Sequence, residues 1–258
     1  MNTGNQQRKK GREMNTSQLI EVWSPKDAFE AIEELRETAT ATILDPWYNK
    51  GAGGTMPDYD IWLDKLVHAA AKKSQHVLVF GFPEIVHTVL NNLPPGFKLV
   101  SWLTWYYKNC PSVIRGWRSA QEAILHLSTE DAKLCPEHFL NDAQLELKRK
   151  KKLRYMPGPP SVIEVPLNIG FVGRAEQFGH PGQKPLRVIK QLLLMATKVG
   201  DLVFDPMCGT GTTAVVCHQL ERRAIVCDES DHWIQVTRDR LATEMMEDRR
   251  AGDLLESA

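Results

Sequence analysis

Nowhere in the 258-residue chain do apolar residues run for the ~20 positions that a membrane helix needs, so no membrane partner is expected. An excess of charge is missing too. The 32 Lys and Arg offset the 32 Asp and Glu, so any electrostatic case for a partner must come from local clusters. Cysteine is sparse: Cys110, Cys135, Cys208, Cys217 and Cys227 are scattered, odd in number and without a Cys-x-x-Cys pair. That argues against a disulfide framework and for reduced thiols in a cytoplasmic protein. His126, Cys135 and His138 could be drawn as metal ligands, but they lack the paired spacing of a zinc site, and no metal is expected. The N-terminus (MNTGNQQRKKGREMNTSQ) has no apolar centre, so it does not read as a secretory signal.

What is present is an ordinary globular balance, 42% hydrophobic and 25% charged, which excludes a disordered or fibrous chain. Residues 1–16 are polar and basic and read as a disordered tail; residues 17–258 read as a single domain. Strands are expected at 18–23, 38–45, 75–81, 98–107, 121–128, 201–205 and 223–228. Helices are expected at 24–37, 58–73, 84–91, 185–198, 212–220 and 231–247. Ser24 is the expected N-cap of the first helix, with Asp27 as its capping-box partner. Ile61, Leu63, Leu66 and Val67 form the expected apolar face of the second. Apolar strands alternating with helices imply βαβ units: an α/β fold with a mostly parallel twisted sheet and helices on both faces. The rhythm breaks over about 129–183, a stretch rich in charge and then in Pro and Gly.

The segment from Leu202 to Ala214 reads strand, turn, helix. Gly209 and Gly211 let the backbone approach a ligand, and the helix beyond them offers free N–H groups. Asp228 ends the next strand, where an acid can bind a ribose diol. A Gly-x-Gly-x-x-Ala string fits a dinucleotide site, but only 47 residues follow Gly211, too few for the strands such a fold still needs. The lack of a Lys-Ser/Thr after the glycines argues against a P-loop. A cofactor with one nucleoside and no phosphates to neutralise fits better, and S-adenosyl-L-methionine meets that description.

A second string, Asp45-Pro46-Trp47-Tyr48, follows the strand at 38–44. Ligands bind at the carboxyl ends of parallel strands. Asp45 and the Pro46 carbonyl can accept hydrogen bonds from an exocyclic amine, and Tyr48 can stack on a planar base. Stacking is worth ~1–3 kcal/mol, comparable with the few kcal/mol that extruding a base costs.

Together these segments resemble the β-class amino-methyltransferases of DNA bases, whose motif order is permuted. In that family an Asp/Asn/Ser-Pro-Pro-aromatic tetrapeptide comes first, then a His-Pro-x-Gln-Lys-Pro string, then the cofactor glycines. Here the order is Asp45-Pro46-Trp47-Tyr48, His180-Pro181-Gly182-Gln183-Lys184-Pro185 and Asp205-Pro206-Met207-Cys208-Gly209-Thr210-Gly211. Trp105 to Lys108 and Arg118 to Leu125 also look like family strands, and the likeness covers roughly 18–247. Two positions depart from the pattern. Trp47 replaces the second Pro, which loosens the loop and puts a bulky ring where it must find a place, beside the target base. Met207 replaces an aromatic.

The resemblance implies a Rossmann-like methyltransferase fold and methyl transfer to an exocyclic amine of a flipped base in double-stranded DNA. It implies catalysis by Asp45, Pro46, Trp47 and Tyr48. The cofactor is expected at Asp205 to Thr212 (Asp205, Pro206, Met207, Cys208, Gly209, Thr210, Gly211, Thr212), Asp228, His180, Gln183 and Lys184. A leading Asp favours adenine N6 over cytosine N4. No cysteine follows a Pro, which excludes ring-carbon cytosine methylation. The family's target-recognition region corresponds to the insertion at about 129–183. Its run Lys148, Arg149, Lys150, Lys151, Lys152 and Arg154 is the expected phosphate contact. At roughly 50 residues this reader is small, which points to a short site, a homodimer or a partner subunit. Competing functions are an RNA amino-methyltransferase, a dinucleotide oxidoreductase and a non-catalytic nucleic-acid-binding subunit.

Overall fold

Why the chain builds one sheet is visible in how its strands divide their side chains. In a computed structural model, which describes residues 19–50, 54–110 and 116–256, eight strands pair in the order β1-β8-β7-β2-β3-β5-β4-β6. They are β1 (Ile20–Val22), β2 (Ala39–Leu44), β3 (Ser74–Gly81), β4 (Phe97–Tyr106), β5 (Gln121–Thr129), β6 (Val162–Glu164), β7 (Leu202–Asp205) and β8 (Arg223–Val226). Only β5 runs against its neighbours; every other pairing is parallel. The expected basic tail at 1–16 lies outside the described residues.

Alternate residues of each central strand enter opposite layers, as a period of two dictates. Val77, Val79, Leu125, Leu127 and Phe204 pack under α1 (Ala28–Glu34), α2 (Tyr59–Ala71) and the short α3 (Pro83–Val86). Leu78, Phe80, Ile124, Val203 and Val226 pack under α5 (Leu186–Ala196), α6 (Thr212–Gln219) and the start of α7 (Asp231–Glu256). A sheet buried on both faces explains why the strands read as nearly unbroken apolar runs.

Two local expectations need correction. Residues 23–26 do not start the first helix. They continue along β8 through Trp23 N to Val226 O (3.0 Å) and Lys26 N to Asp228 O (3.1 Å). Asp27 is therefore the N-cap, accepting from Phe29 N at 2.8 Å. Ile61 faces solvent at 51% exposure. The inward stripe of α2 is Tyr59, Leu63, Leu66, Val67 and Ala70, and Ile61 lies half a turn from it. Within 129–183 the chain builds α4 (Asp142–Arg149), closed by an Asn141–Gln144 capping box, and β6, which extends the sheet beside β4. With three residues after two prolines, β6 leaves too short a pattern to read. Among the described residues, no helix is long and apolar enough to cross a membrane.

Candidate active site

Parallel pairing brings three loops to one edge. β2 lies beside β7 and β7 beside β8, so Asp45, the Asp205–Gly211 turn and Asp228 all emerge at adjacent carboxyl ends. Because β5 is antiparallel, it starts at that same edge, next to the end of β3. Glu122, its second residue, thereby joins them. These elements line a cleft of about 880 Å³, together with His180, Gln183, Lys184, Trp62, Phe82 and Trp233.

The glycine turn forms the acidic end of the cleft. Gly211 has φ +75°, and a Cβ there would lie 2.6 Å from Thr237 Cγ2, so no side chain fits. Gly209 N donates to Asp228 Oδ2 (2.9 Å), and Gly209 O accepts from Thr237 Oγ1 (2.9 Å). Ser230 N donates to the other oxygen of Asp228 (3.0 Å). Asp205, buried at the end of β7, accepts from Met207 N (3.1 Å) and from the Thr213 hydroxyl. Burial still pushes its carboxyl up to about 7, against the pull of those two donors. Arg240 reaches beneath the turn, with Nη1 3.1 Å from Thr210 O and 3.1 Å from Thr212 Oγ1. Burial lowers it to about 10.

The opposite wall is a polar cluster inside an aromatic frame. Lys184 Nζ lies 2.7 Å from Asp45 Oδ2 and 3.6 Å from Glu122 Oε2. Tyr48 Oη lies 2.8 Å from Asp45 Oδ1 and 2.7 Å from Glu122 Oε2. The ammonium sits over the rings of Tyr48, Phe80 and Trp105. Burial works against its charge, but the carboxyl groups beside it, Asp45 foremost, overcome burial and raise it. Burial also pushes the Tyr48 phenol well up, so it keeps its proton. The Lys184 carbonyl accepts from Thr212 Oγ1 (3.0 Å), pinning the start of α6 to the segment that carries the lysine.

Of the residues singled out in the sequence, Asp45 to Tyr48, Asp205 to Thr210, Thr212, Asp228, His180, Gln183 and Lys184 line this cleft. Gly211 sits beneath it as the N-cap of α6. Several placements differ from expectation. The Lys184 ammonium, expected at the cofactor, pairs with Asp45. Gln183 spends its amide on its own loop, accepting from Phe178 N (3.0 Å) and donating to Glu176 O. The Trp47 ring turns into the layer under α2, edge-on to Tyr59 at 5.3 Å, rather than lying free beside a base. The Tyr59 hydroxyl donates to the Trp47 carbonyl and ties the loop down. Tyr48 lies edge-on to Phe82 at 4.9 Å, with its hydroxyl engaged. The run Lys148 to Arg154 ends α4 and is exposed. Glu146 pairs with Lys150 (3.1 Å) and Arg149 (3.6 Å), and none of the run lines the cleft.

Sequence reading missed Glu122, Thr237 and Arg240. Glu122 left one trace, a lone acid heading the apolar strand QEAILHLS. Thr237 and Arg240 sit on one face of a long helix and left none.

The donor set suits a cationic, phosphate-free cofactor. Two acids, Asp205 and Asp228, face the cleft at the glycine turn, while the nearby cations are committed elsewhere, Arg240 to Thr210 and Thr212 and Lys184 to Asp45.

Comparison with known proteins gives this arrangement a family. The chain is 25% identical over 233 residues to the type II methyltransferase M.HpaI of Haemophilus parainfluenzae, covering 84% of this chain and 73% of that protein. It is 32% identical over 152 residues to the type II methyltransferase M2.DpnII of Streptococcus pneumoniae, covering 58% and 53%. The fold superposes on the crystal structure of an M1.HpyAVI–SAM complex with a TM-score of 0.66 at 23% identity, covering 86% of this chain and 98% of that one. Residues 40–239 match the family described as DNA methylase (N6_N4_Mtase). With most of its length inside that match, the chain belongs to the N6/N4 DNA methylase family.

Proposed function

We propose that this chain methylates an exocyclic amine of a base extruded from double-stranded DNA, with adenine N6 favoured over cytosine N4. The observation that carries the reading is the meeting of Asp45 and Pro46 with the Asp205–Thr212 turn and Asp228 in one cleft. S-adenosyl-L-methionine, the cofactor of this family, supplies the methyl group from a sulfonium when bound; Asp205, the glycine turn, Asp228 and His180 would hold it.

The chain's own residues supply positioning. An exocyclic nitrogen is a poor nucleophile while its lone pair is conjugated with the ring. Asp45 and the Pro46 carbonyl accept its two N–H bonds, which draws it toward tetrahedral geometry and frees the lone pair. Asp45 also stabilises the positive charge that develops on nitrogen. The fixed orientation of Asp45 under Lys184 and Tyr48 suits that task, because the carboxylate keeps unused lone pairs beyond the two donors.

The insertion at about 129–183 serves as the target reader within a single domain, and Lys148 to Arg154 contact phosphate. Their exposure supports this, since a cation must reach the backbone without desolvation. The small reader favours action as a homodimer or with a partner subunit.

The test is to incubate the protein with labelled methyl donor and matched DNA and RNA, digest to nucleosides, and identify the labelled one. Label on N6-methyladenine from DNA is expected. Label on N4-methylcytosine changes the base, label on RNA changes the substrate, and binding without label makes the chain a non-catalytic subunit. Asp45→Ala should lose transfer while retaining cofactor affinity.

A further inference from the structure

Two contacts in the cleft compete for one proton. Tyr48 Oη is within hydrogen-bond distance of both Asp45 Oδ1 (2.8 Å) and Glu122 Oε2 (2.7 Å). A phenol has a single O–H, and an ionised carboxylate can only accept. If both acids were anions, one of these contacts would set two lone pairs against each other in a buried site. Losing the phenol proton would be worse, with three anions around one ammonium. A second proton must therefore reside on a carboxyl group.

Position decides which one. Lys184 Nζ is 2.7 Å from Asp45 and 3.6 Å from Glu122, and the Asp45 side chain is 21% exposed against 11% for Glu122. The ion pair belongs to Asp45 and Lys184. Glu122 is left in the drier place, on the strand beside Trp105, where an anion is costly. We propose that Glu122 carries the extra proton and is a positioning residue for the catalytic loop: its carboxylic acid donates to Tyr48 Oη, which commits the phenol proton to Asp45 Oδ1.

The consequence is geometric. Asp45 then holds one donor on each oxygen, Tyr48 on Oδ1 and Lys184 on Oδ2, and its plane is fixed before an amine arrives. Ionising Glu122 would give the phenol proton two acceptors and the ammonium two anions, and Asp45 would lose its fixed plane. The groups facing Glu122 are Tyr48 and Asp45 from the loop after β2, Tyr107 just after β4, and Lys184 from the segment before α5. Burial raises the Glu122 carboxyl, against the pull of the lysine.

This rests on the reading of Asp45 as the acceptor of the amine, and two measurements separate the two ideas. The first needs no DNA. The infrared difference between the wild-type protein and Glu122→Gln at neutral pH should contain the C=O stretch of a protonated carboxylic acid. A difference showing only a lost carboxylate overturns the proposal. The second is single-turnover methylation against pH. Glu122→Ala should lose about 10²-fold in rate, the scale of a misplaced catalytic group, with cofactor affinity held. Glu122→Gln keeps a donor toward Tyr48 and should recover most of that loss. It should also lack the alkaline decline that ionisation of Glu122 gives the wild type. A Gln variant as slow as the Ala variant, or one that keeps the alkaline decline, overturns the proposal. Should Asp45→Ala retain turnover while the carboxylic acid band is present, the reading of Asp45 fails and the protonation of Glu122 stands.

Discussion

Lys184 Nζ lies 2.7 Å from Asp45 Oδ2, joining the segment before α5 to the loop after β2. The lysine is 6% exposed, so its charge has little water to fall back on. Breaking a buried pair by removing one partner costs about 3–5 kcal/mol, because the other charge is left uncompensated. Lys184→Ala should therefore lower the thermal midpoint by several degrees and abolish transfer. A calorimetric scan and a labelled-methyl assay check both. Unaltered stability would mean that the pair is not formed in solution.

Asp205 predicts a pH dependence of cofactor affinity. Its carboxyl sits at about 7, so below that pH the empty protein holds a proton there. A cationic cofactor favours the anion, and binding must release the proton. Affinity should therefore fall about tenfold per pH unit on going below 7 and level off above it. Asp205→Asn should bind weakly at every pH, without that slope. Calorimetric titration in buffers of different ionisation enthalpy checks the proton release directly.

How far the sequence disclosed this site follows from how its residues are connected. Asp45 and Gly211 belong to strings whose chemistry is local: an acid before a proline after a strand, and a glycine that opens a helix. Both could be read without a partner. Glu122 matters because β5 runs backwards and starts where β2 and β7 end, and no local pattern states a strand's direction. Arg240 acts on Thr210, thirty positions away, and only the fold makes them neighbours. The fate of Trp47 was equally hidden, since its place under α2 depends on Tyr59. The phase of α2 went wrong at Ile61 for a different reason. An apolar residue looks like part of a stripe until the inward face is known.

Tyr59 fastens the loop after β2 through one hydrogen bond to the Trp47 carbonyl. Tyr59→Phe keeps the ring against Trp47 and removes only the hydroxyl. A typical net hydrogen bond is worth about 1 kcal/mol, so chemical denaturation should show a loss of that order. The rate of transfer should fall more than cofactor affinity does, because the loop carries Asp45 and not the glycine turn. Equal losses in both would assign Tyr59 to general packing.

At the glycine turn, Gly211→Ala adds a methyl 2.6 Å from Thr237 Cγ2 and places an L residue at φ +75°. Strain at such a backbone conformation costs about 1–3 kcal/mol before the clash is counted. The turn must shift, and Gly209 N then loses its line to Asp228. Cofactor affinity should fall more steeply than global stability. Titration and thermal unfolding of the same sample check the difference.

The exposed run at the end of α4 tests the nucleic-acid face. Each phosphate neutralised on duplex DNA contributes about 0.9 to the slope of log affinity against log salt. Lys148, Lys151, Lys152 and Arg154 make no ion pair among the described residues, whereas Arg149 and Lys150 share Glu146. The first four can therefore meet phosphate without giving up a partner. Changing them together to Gln should flatten the salt slope by up to about 3–4 units and leave cofactor affinity alone, since none lines the cleft. Binding of a duplex measured by fluorescence anisotropy across a salt series reads the slope. A slope equal to that of the wild type would assign the run to solvent and move the DNA face elsewhere on the carboxyl edge of the sheet.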